Sequence, residues 1–468
     1  MKGNLPPGNA TDETKTWFAF WGDTMRLALF SAVDPGRRSH NRRGLLLVIG
    51  IAAALAIPLS ATTANAVVRS STPVETGSVV ADWNAIGVTT LVGDTTRVVQ
   101  EQILYMAFLH AAIYDAVVGV EGGYQPYLFN DRAPDGTSAT AAAAAAAHKI
   151  LETYEPYARS ALDADLAASL AGIPDGTAKS DGIAFGEHVA QELIDRRAND
   201  GRNAPVFFTK PPAPGVWRPT PPAFAPMAVP WLGGVTPLLA NSATQFAPPP
   251  PPALTSARYT RDLAEVQAFG SATSTVRTAD QTATAVFFSG TPVPQFNKAM
   301  RDEAASRGLD IVQSARMFAA VDMTVADALI TAWRAKLFYG VWRPSTAIQL
   351  ADTDGNPDTT ADPSWTPFIV NPPYPDYISG YNSYAASFSE AMEQLFGDHN
   401  LNLNLISTAV PGAIRHYDKG QPLRADVVNA RVWLGIHFRF ADVAARNMGV
   451  SLADWTLSHY FQPIGQGG

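Results

Sequence analysis

Apolar side chains recur at helical spacing through most of the chain. Over residues 94–120 they fall at Val98, Ile103, Leu104, Phe108, Ala111, Ile113 and Val117, which predicts a buried amphipathic helix. His110 lies inside it and is read as a satisfied core residue. An alanine-rich helix follows to about Tyr154, capped by Thr137 or Ser138. Its small side chains and high propensity imply tight helix packing with no chemistry attached. Further helices are expected from Ala158, over residues 177–200, 255–269 and 278–288, from Pro294 to about 308, over about 310–338 and over 382–396. Residues 72–80 are polar and read as an extended arm. Strand–helix alternation, solenoid repeats and a phosphate-binding glycine loop are all missing from the sequence, so the fold class is all-α: a helical-bundle body with long proline-rich loops.

The helical pattern stops at Asn203. From there to residue 254 prolines dominate, with Phe207, Phe208, Trp217, Phe224, Trp231 and Phe246 interleaved and an unbroken run from Pro248 to Pro252. Proline denies such a segment helical and central-strand hydrogen bonds. A disordered linker is one reading. The large apolar side chains favour the other, an ordered loop wrapped over the helical body and lining the mouth of the site. The chain therefore divides into an over-extended start plus export signal (1–66), an N-terminal helical part (67–202), the proline and aromatic-rich loop (203–254) and a C-terminal helical part (255–468).

Composition narrows the chemistry. The chain has 468 residues, 47% of them hydrophobic, which is ample for a large core, and a net charge of -8, which argues against a nucleic-acid partner. It contains 0 cysteines, which excludes disulfides, thiolate metal sites and cysteine nucleophiles. Arginines 37, 38, 42 and 43 make a basic region, residues 45–59 an apolar core, and Ala64-Asn65-Ala66 a small-residue cleavage site. This is the pattern of a removable secretory signal, so export with cleavage near Ala66 is expected. Asn41-Arg42-Arg43-Gly44-Leu45-Leu46 loosely resembles a twin-arginine signal, and residues 1–24 precede a second methionine, Met25. No later segment is read as long and apolar enough to span a membrane, and nothing fixes an oligomeric state.

Three clusters with an affinity for anions follow one another. The first is Lys336, six residues, then Arg343-Pro344. A compact ammonium at the end of a helix and a planar guanidinium just beyond it complement each other around an oxyanion. The second is the proline-bounded string from Pro372 to Tyr381, ending in Ser379-Gly380 at a helix start, where a hydroxyl and free amides meet a favourable dipole. The third is Arg431, five residues, then His437. On a continuous helix these two would sit about 240° apart, so either Gly435 breaks the helix or they approach a ligand from adjoining turns. Each cluster alone also reads as ordinary structure: solvated surface, a serine cap, a core arginine and histidine.

Taken in order, the clusters resemble the vanadium-dependent haloperoxidase and type-2 phosphatidic acid phosphatase superfamily, whose signature is Lys-x6-Arg-Pro, then Pro-Ser-Gly-His, then Ser-Arg-x5-His-x3-Asp. The wording of residues 372–380 and 433–439, and of 105–117, is similar to the soluble bacterial haloperoxidase branch. The resemblance implies that Lys336, Arg343, Arg431, Ser379 and Gly380 hold the equatorial oxygens of vanadate, with phosphate as the alternative oxyanion. It implies that His437 binds the metal axially, or attacks phosphorus in a phosphatase. The chain departs from the pattern at Tyr381, which replaces the acid-base histidine, at Ile378, at Ala430, and at Asp442, one residue beyond the expected aspartate. Tyr381 is carried over as a catalytic hydroxyl and Asp442 as the residue that orients His437. His416 and His399 are candidates for the missing base.

A phenol with an ordinary pKa near 10 is poorly matched to protonating a leaving alkoxide at neutral pH, whereas it can supply a hydrogen bond to an oxyanion. The expected activity is therefore vanadate-dependent oxidation of a halide or small organic substrate by hydrogen peroxide. An acid phosphatase and a degenerate oxyanion-binding protein are the alternatives.

Overall fold

The computed structural model describes residues 75–397 and 400–464. The export signal, like His399, lies outside them. The first helix, α1 (Ser78–Gly93), occupies part of the stretch read as an extended arm. Its buried face, Val80, Trp83, Gly87 and Leu91, has helical spacing that only becomes apparent once the window runs past Val80. Helix α2 (Val99–Glu121) is apolar on all sides. By length and hydropathy alone it suffices to span a membrane, more than the sequence reading allowed, but 94% of its apolar window is buried inside the protein. An all-round apolar helix of this kind is a core helix.

The alanine-rich α3 (Ala139–Tyr154), capped by Ser138, packs against α5 (Thr177–Arg196), with α4 (Arg159–Ala171) between them in sequence. The backbones approach so closely that a Cβ on Gly186 would lie 2.1 Å from the Ala142 carbonyl oxygen. This is the tight packing that the alanine run implies. Helices α6 (Ala257–Phe269), α7 (Ala279–Phe287) and α8 (Pro292–Arg307) lead to α9 (Ile311–Tyr339), the central element. At 29 residues it is about 44 Å long. It packs on α2 on one side and on α11 (Gly380–Phe396) and α13 (Arg439–His459) on the other. A short α10 (Pro344–Gln349) follows it, and α12 (Gly420–Trp433) precedes α13. The two strands among the described residues, β1 (Leu403–Ile406) and β2 (Ile414–Tyr417), form one antiparallel hairpin. The fold is all-α around bundled helices.

Residues 203–254 carry one short 3₁₀ turn, Pro230–Gly234, and otherwise run as loop. Trp217 and Trp231 are buried, so the segment is anchored. The amides of Leu238, Leu239 and Ala240, all free of proline, donate to the buried carboxylate of Asp327 on α9 at 2.7 to 2.8 Å. Trp333 Nε1 donates to the Ala228 carbonyl, and the Ala228 amide donates to the carbonyl of Pro373. The loop therefore packs directly on the second anion-seeking string.

Candidate oxyanion site

Helix α9 ends at Gly340, which adopts φ +63°, and this stop leaves Lys336 in the last turn with its side chain fully buried. Lys336 Nζ donates to the carbonyls of Pro375 and Asp376 at 2.7 and 3.0 Å. One of its three protons remains uncommitted. Arg343 sits just before α10, held out of the helix by Pro344. Its guanidinium donates to the carbonyls of Tyr374 (2.8 Å), Ile436 (2.7 Å) and Pro372 (3.3 Å). Arg343 thus ties the second string to the third, and it shares the face of the Tyr374 ring with Lys336, at 4.8 and 4.9 Å from its centroid.

Ser379 caps α11, and the amides of Gly380 and Tyr381 open that helix without intrahelical acceptors. A Cβ on Gly380 would lie 3.0 Å from the Trp333 ring, so the glycine lets α11 start hard against α9. Between α12 and α13 the helix is broken by Gly435 at φ +77°, whose missing Cβ would strike the Gly270 carbonyl oxygen at 2.2 Å. Of the two alternatives for the third cluster, the break is the observed one. It turns His437 inward while Arg431 projects from the last turn of α12. Arg431 Nη1 donates to the Phe288 carbonyl at 2.9 Å, its guanidinium lies 4.9 Å from the Tyr381 ring centroid, and its Nε is buried without a partner.

His437 is buried, with Nδ1 2.6 Å from Asp376 Oδ1 and Nε2 3.4 Å from Arg343 Nη1. Asp442 does not touch His437: its Oδ1 accepts from Asn382 Nδ2 at 2.8 Å, and the carboxylate against the imidazole is that of Asp376. The physical reason is the one-residue slip: about 100° of rotation in the first turn of α13 aims Asp442 at α11. Asp376, in the loop gripped by Lys336, reaches the imidazole instead. Its signal in the sequence was a carboxylate between Pro375 and Tyr377, a place with no obvious solvent-facing role. A second residue the sequence did not point to is Gln295 of α8, which is buried and accepts the Tyr381 hydroxyl at 2.5 Å through Oε1. His416 lies on β2, exposed, with Nδ1 3.1 Å from Asn404 Oδ1, and is not part of the cluster.

The charges are unbalanced. Burial lowers the pKa of Lys336, Arg343 and Arg431 alike, and repulsion from Arg343 adds to the effect at Lys336. Burial raises Asp376 to about 7 against the pull of Arg343 and Lys336, and raises Asp442 as well. His437 is driven well below its ordinary value by burial and by the three cations, so it is neutral. With Nδ1–H assigned to the Asp376 contact, Nε2 presents its lone pair towards the cations. A buried donor left without an acceptor costs about 1–3 kcal/mol, and more when charged. An oxyanion answers Arg431 Nε, the free proton of Lys336 and the α11 amides together, so the donor set fits vanadate or phosphate.

Residues 316–466, which hold every member of this cluster except Gln295, match the family described as the VCPO second helical-bundle domain. Over that stretch the chain is similar to the vanadium chloroperoxidases, and its helical-bundle fold is the one that vanadium-dependent haloperoxidases have. It is similar to the vanadium chloroperoxidase of Curvularia inaequalis at 24% identity, over 56% of this chain and 57% of that protein, so the likeness spans little more than half of that relative. Its fold is shared with a bacterial vanadium-dependent iodoperoxidase, with a TM-score of 0.71 at 22% identity over 84% of this chain and 98% of that one. It is also shared with a holo-type bacterial vanadium-dependent chloroperoxidase, with a TM-score of 0.62 at 18% identity over 77% and 91%. Set beside the superfamily signature, this chain differs in facing its anion cluster with the Tyr381 ring and in pairing His437 with a carboxylate from the second string.

Proposed function

We propose that the chain is a vanadate-dependent peroxidase that uses hydrogen peroxide to oxidise a halide or a small organic substrate. The observation that carries this reading is the neutral His437, locked through Nδ1 to Asp376 and turned through Nε2 towards three buried cations. Lys336, Arg431, Ser379 and the Gly380 amide hold the oxyanion's oxygens, and Arg343 contributes charge while fixing both loops. His437 Nε2 would supply the nitrogen ligand to the bound metal, and Asp376 keeps the proton on Nδ1 so that this lone pair stays available. Vanadate, when bound, supplies the Lewis-acid centre that activates peroxide. Tyr381 donates a hydrogen bond from its phenol, at the cost of its contact with Gln295.

Tyr381 also bears on the phosphatase alternative. Burial raises this phenol further above its ordinary value, and Arg431 only partly offsets that, so it is a poor acid for an alkoxide leaving group. A peroxidase has no such group to expel. The hydroxyl's engagement with Gln295 favours slow turnover, and in the limit a protein that binds the oxyanion without acting on it. The assay is peroxide-dependent halogenation of a phenol dye by purified protein, with and without added vanadate, beside cleavage of an aryl phosphate. Vanadate-stimulated halogenation is expected. Phosphate-ester cleavage without it would overturn the reading. The basic and apolar pattern before Ala66 supports export as the setting, which N-terminal sequencing of the protein recovered outside the cell tests directly.

A further inference from the structure

Behind the string that carries Asp376 lies a cavity of about 320 Å³ that belongs to no part of the oxyanion cluster. One wall is the proline run, and the other is a single face of α13: Phe440, Val443, Ala444, Asn447, Met448 and Ser451 fall at i, i+3, i+4, i+7, i+8 and i+11. Such a face ordinarily packs against a neighbouring helix. Here its neighbour is a segment that cannot fold onto it, because prolines lack the amides a helix or strand needs. The run is also pinned in place, with Tyr339 Oη donating to the Pro248 carbonyl at 3.1 Å and Tyr377 Oη to that of Pro249 at 2.5 Å. The space is therefore built into the fold rather than left by loose packing.

Its chemistry is specific. Tyr377, Phe440 and Met448 are buried and floor the cavity, while flat pyrrolidine rings close the side. Arg258, at the mouth, makes no ion pair with any described residue. A slot of this volume walled by proline rings, Phe440 and Met448, with Asn447 and Ser451 as polar side chains and Arg258 as its one cation, suits a small aromatic acid. We propose that this cavity is a second binding site, for a small aromatic carboxylate whose ring lies between the proline run and Phe440 and whose carboxylate pairs with Arg258. The site adjoins both segments that hold His437: Tyr377 follows Asp376 in sequence, and Phe440 stacks on Phe438, the residue after His437, at 4.9 Å.

The test is calorimetric titration of the full chain with 2-naphthoate, beside its neutral counterpart 2-naphthalenemethanol. Saturable one-to-one binding of naphthoate is expected. Arg258→Gln weakens naphthoate roughly fivefold, the weight of an exposed ion pair, and leaves the alcohol unchanged. Ala444→Phe fills the slot and removes both ligands. Ser451→Trp blocks the mouth from an exposed position, so it serves if Ala444→Phe fails to fold. Saturating vanadate leaves naphthoate binding unchanged. The proposal is overturned by the absence of saturable binding to the wild-type chain, by binding that survives Ser451→Trp, or by displacement with vanadate, which places the ligand at His437 instead.

Discussion

His110 and His437 are both fully buried and both face an aspartate, yet their surroundings differ in one respect that decides what each cluster can do. His110 Nε2 lies 3.6 Å from Asp322 Oδ2 and 3.0 Å from Asn84 Nδ2, and Asn84 donates onward to Asn297 at 2.6 Å. The cation nearby is Arg301, whose Nη1 donates to Asn84 Oδ1. Burial drives His110 down to about 3 and Asp322 up to about 8, so this pair discharges itself by holding both groups neutral. The His437 cluster lacks that option, because arginine keeps its proton in any protein environment. Arg343 has Asp376 Oδ1 at 3.8 Å, but Arg431 stays charged and buried with no ion pair among the described residues, so a further anion is needed to relieve the cluster. The contrast lies in the guanidinium groups: Arg301 beside His110 is only partly buried and reaches solvent, whereas Arg343 and Arg431 beside His437 are buried.

The largest test of that contrast is removal of each imidazole. His437→Ala is expected to lower vanadate-dependent turnover by about a hundredfold or more, measured as halogenation rate at saturating vanadate. His110→Ala is expected to destabilise the fold by about 2–4 kcal/mol in denaturant titrations, through a buried cavity and orphaned amides, while vanadate affinity holds. A collapse of vanadate affinity in His110→Ala would erase the distinction.

The carboxylates sharpen it next. Asp376→Asn is expected to weaken vanadate binding about 10- to 100-fold, the usual weight of a residue that orients a ligating histidine. Asp442→Asn should leave that affinity within about threefold, because Asp442 bonds Asn382 and not His437. The reverse ranking would restore Asp442 to the orienting role.

At the other pair the expected effect is on stability. Asp322 has a folded pKa near 8 against an ordinary value of 3.8, so the folded chain keeps a proton that the unfolded chain gives up. Its stabilising contribution is full below 3.8 and is lost as the pH rises towards 8. Asp322→Asn should therefore gain on the wild type by about 1.4 kcal/mol per pH unit between pH 5 and 8, read from unfolding free energies at each pH. A difference that does not change with pH would mean that Asp322 is ionised in the fold. The smallest effect expected is a gain: Tyr381→His should raise turnover several-fold by placing a titratable acid-base group at the oxyanion. Unchanged turnover would mean that the hydroxyl does not limit the reaction.

Much of this was legible beforehand, for physical reasons that differ by region. The long α9, the alanine helix and α11 announce themselves by spacing and caps, and the gathering of Lys336, Arg343, Ser379, Arg431 and His437 by their order along the chain. Gly435 was legible as a possible break because six residues on a helix cannot put Arg431 and His437 on one face. Asp376 and Gln295 were not legible. Their roles come from contacts between elements 61 and 86 residues apart, which no local pattern encodes. The cavity under the proline run was hidden for the same reason: its two walls, the proline run and α13, are far apart in sequence, and no local pattern joins them.

The central claim is that the three buried cations and His437 form a site for one tetrahedral oxyanion. Thermal unfolding of the wild-type chain across a vanadate titration, repeated with Arg431→Ala, tests it most directly. The account predicts a saturable rise in melting temperature, reaching about 2.7 kcal/mol of added stability at a hundred times the dissociation constant, and its loss in Arg431→Ala. A wild-type melting temperature indifferent to vanadate and to phosphate would contradict it.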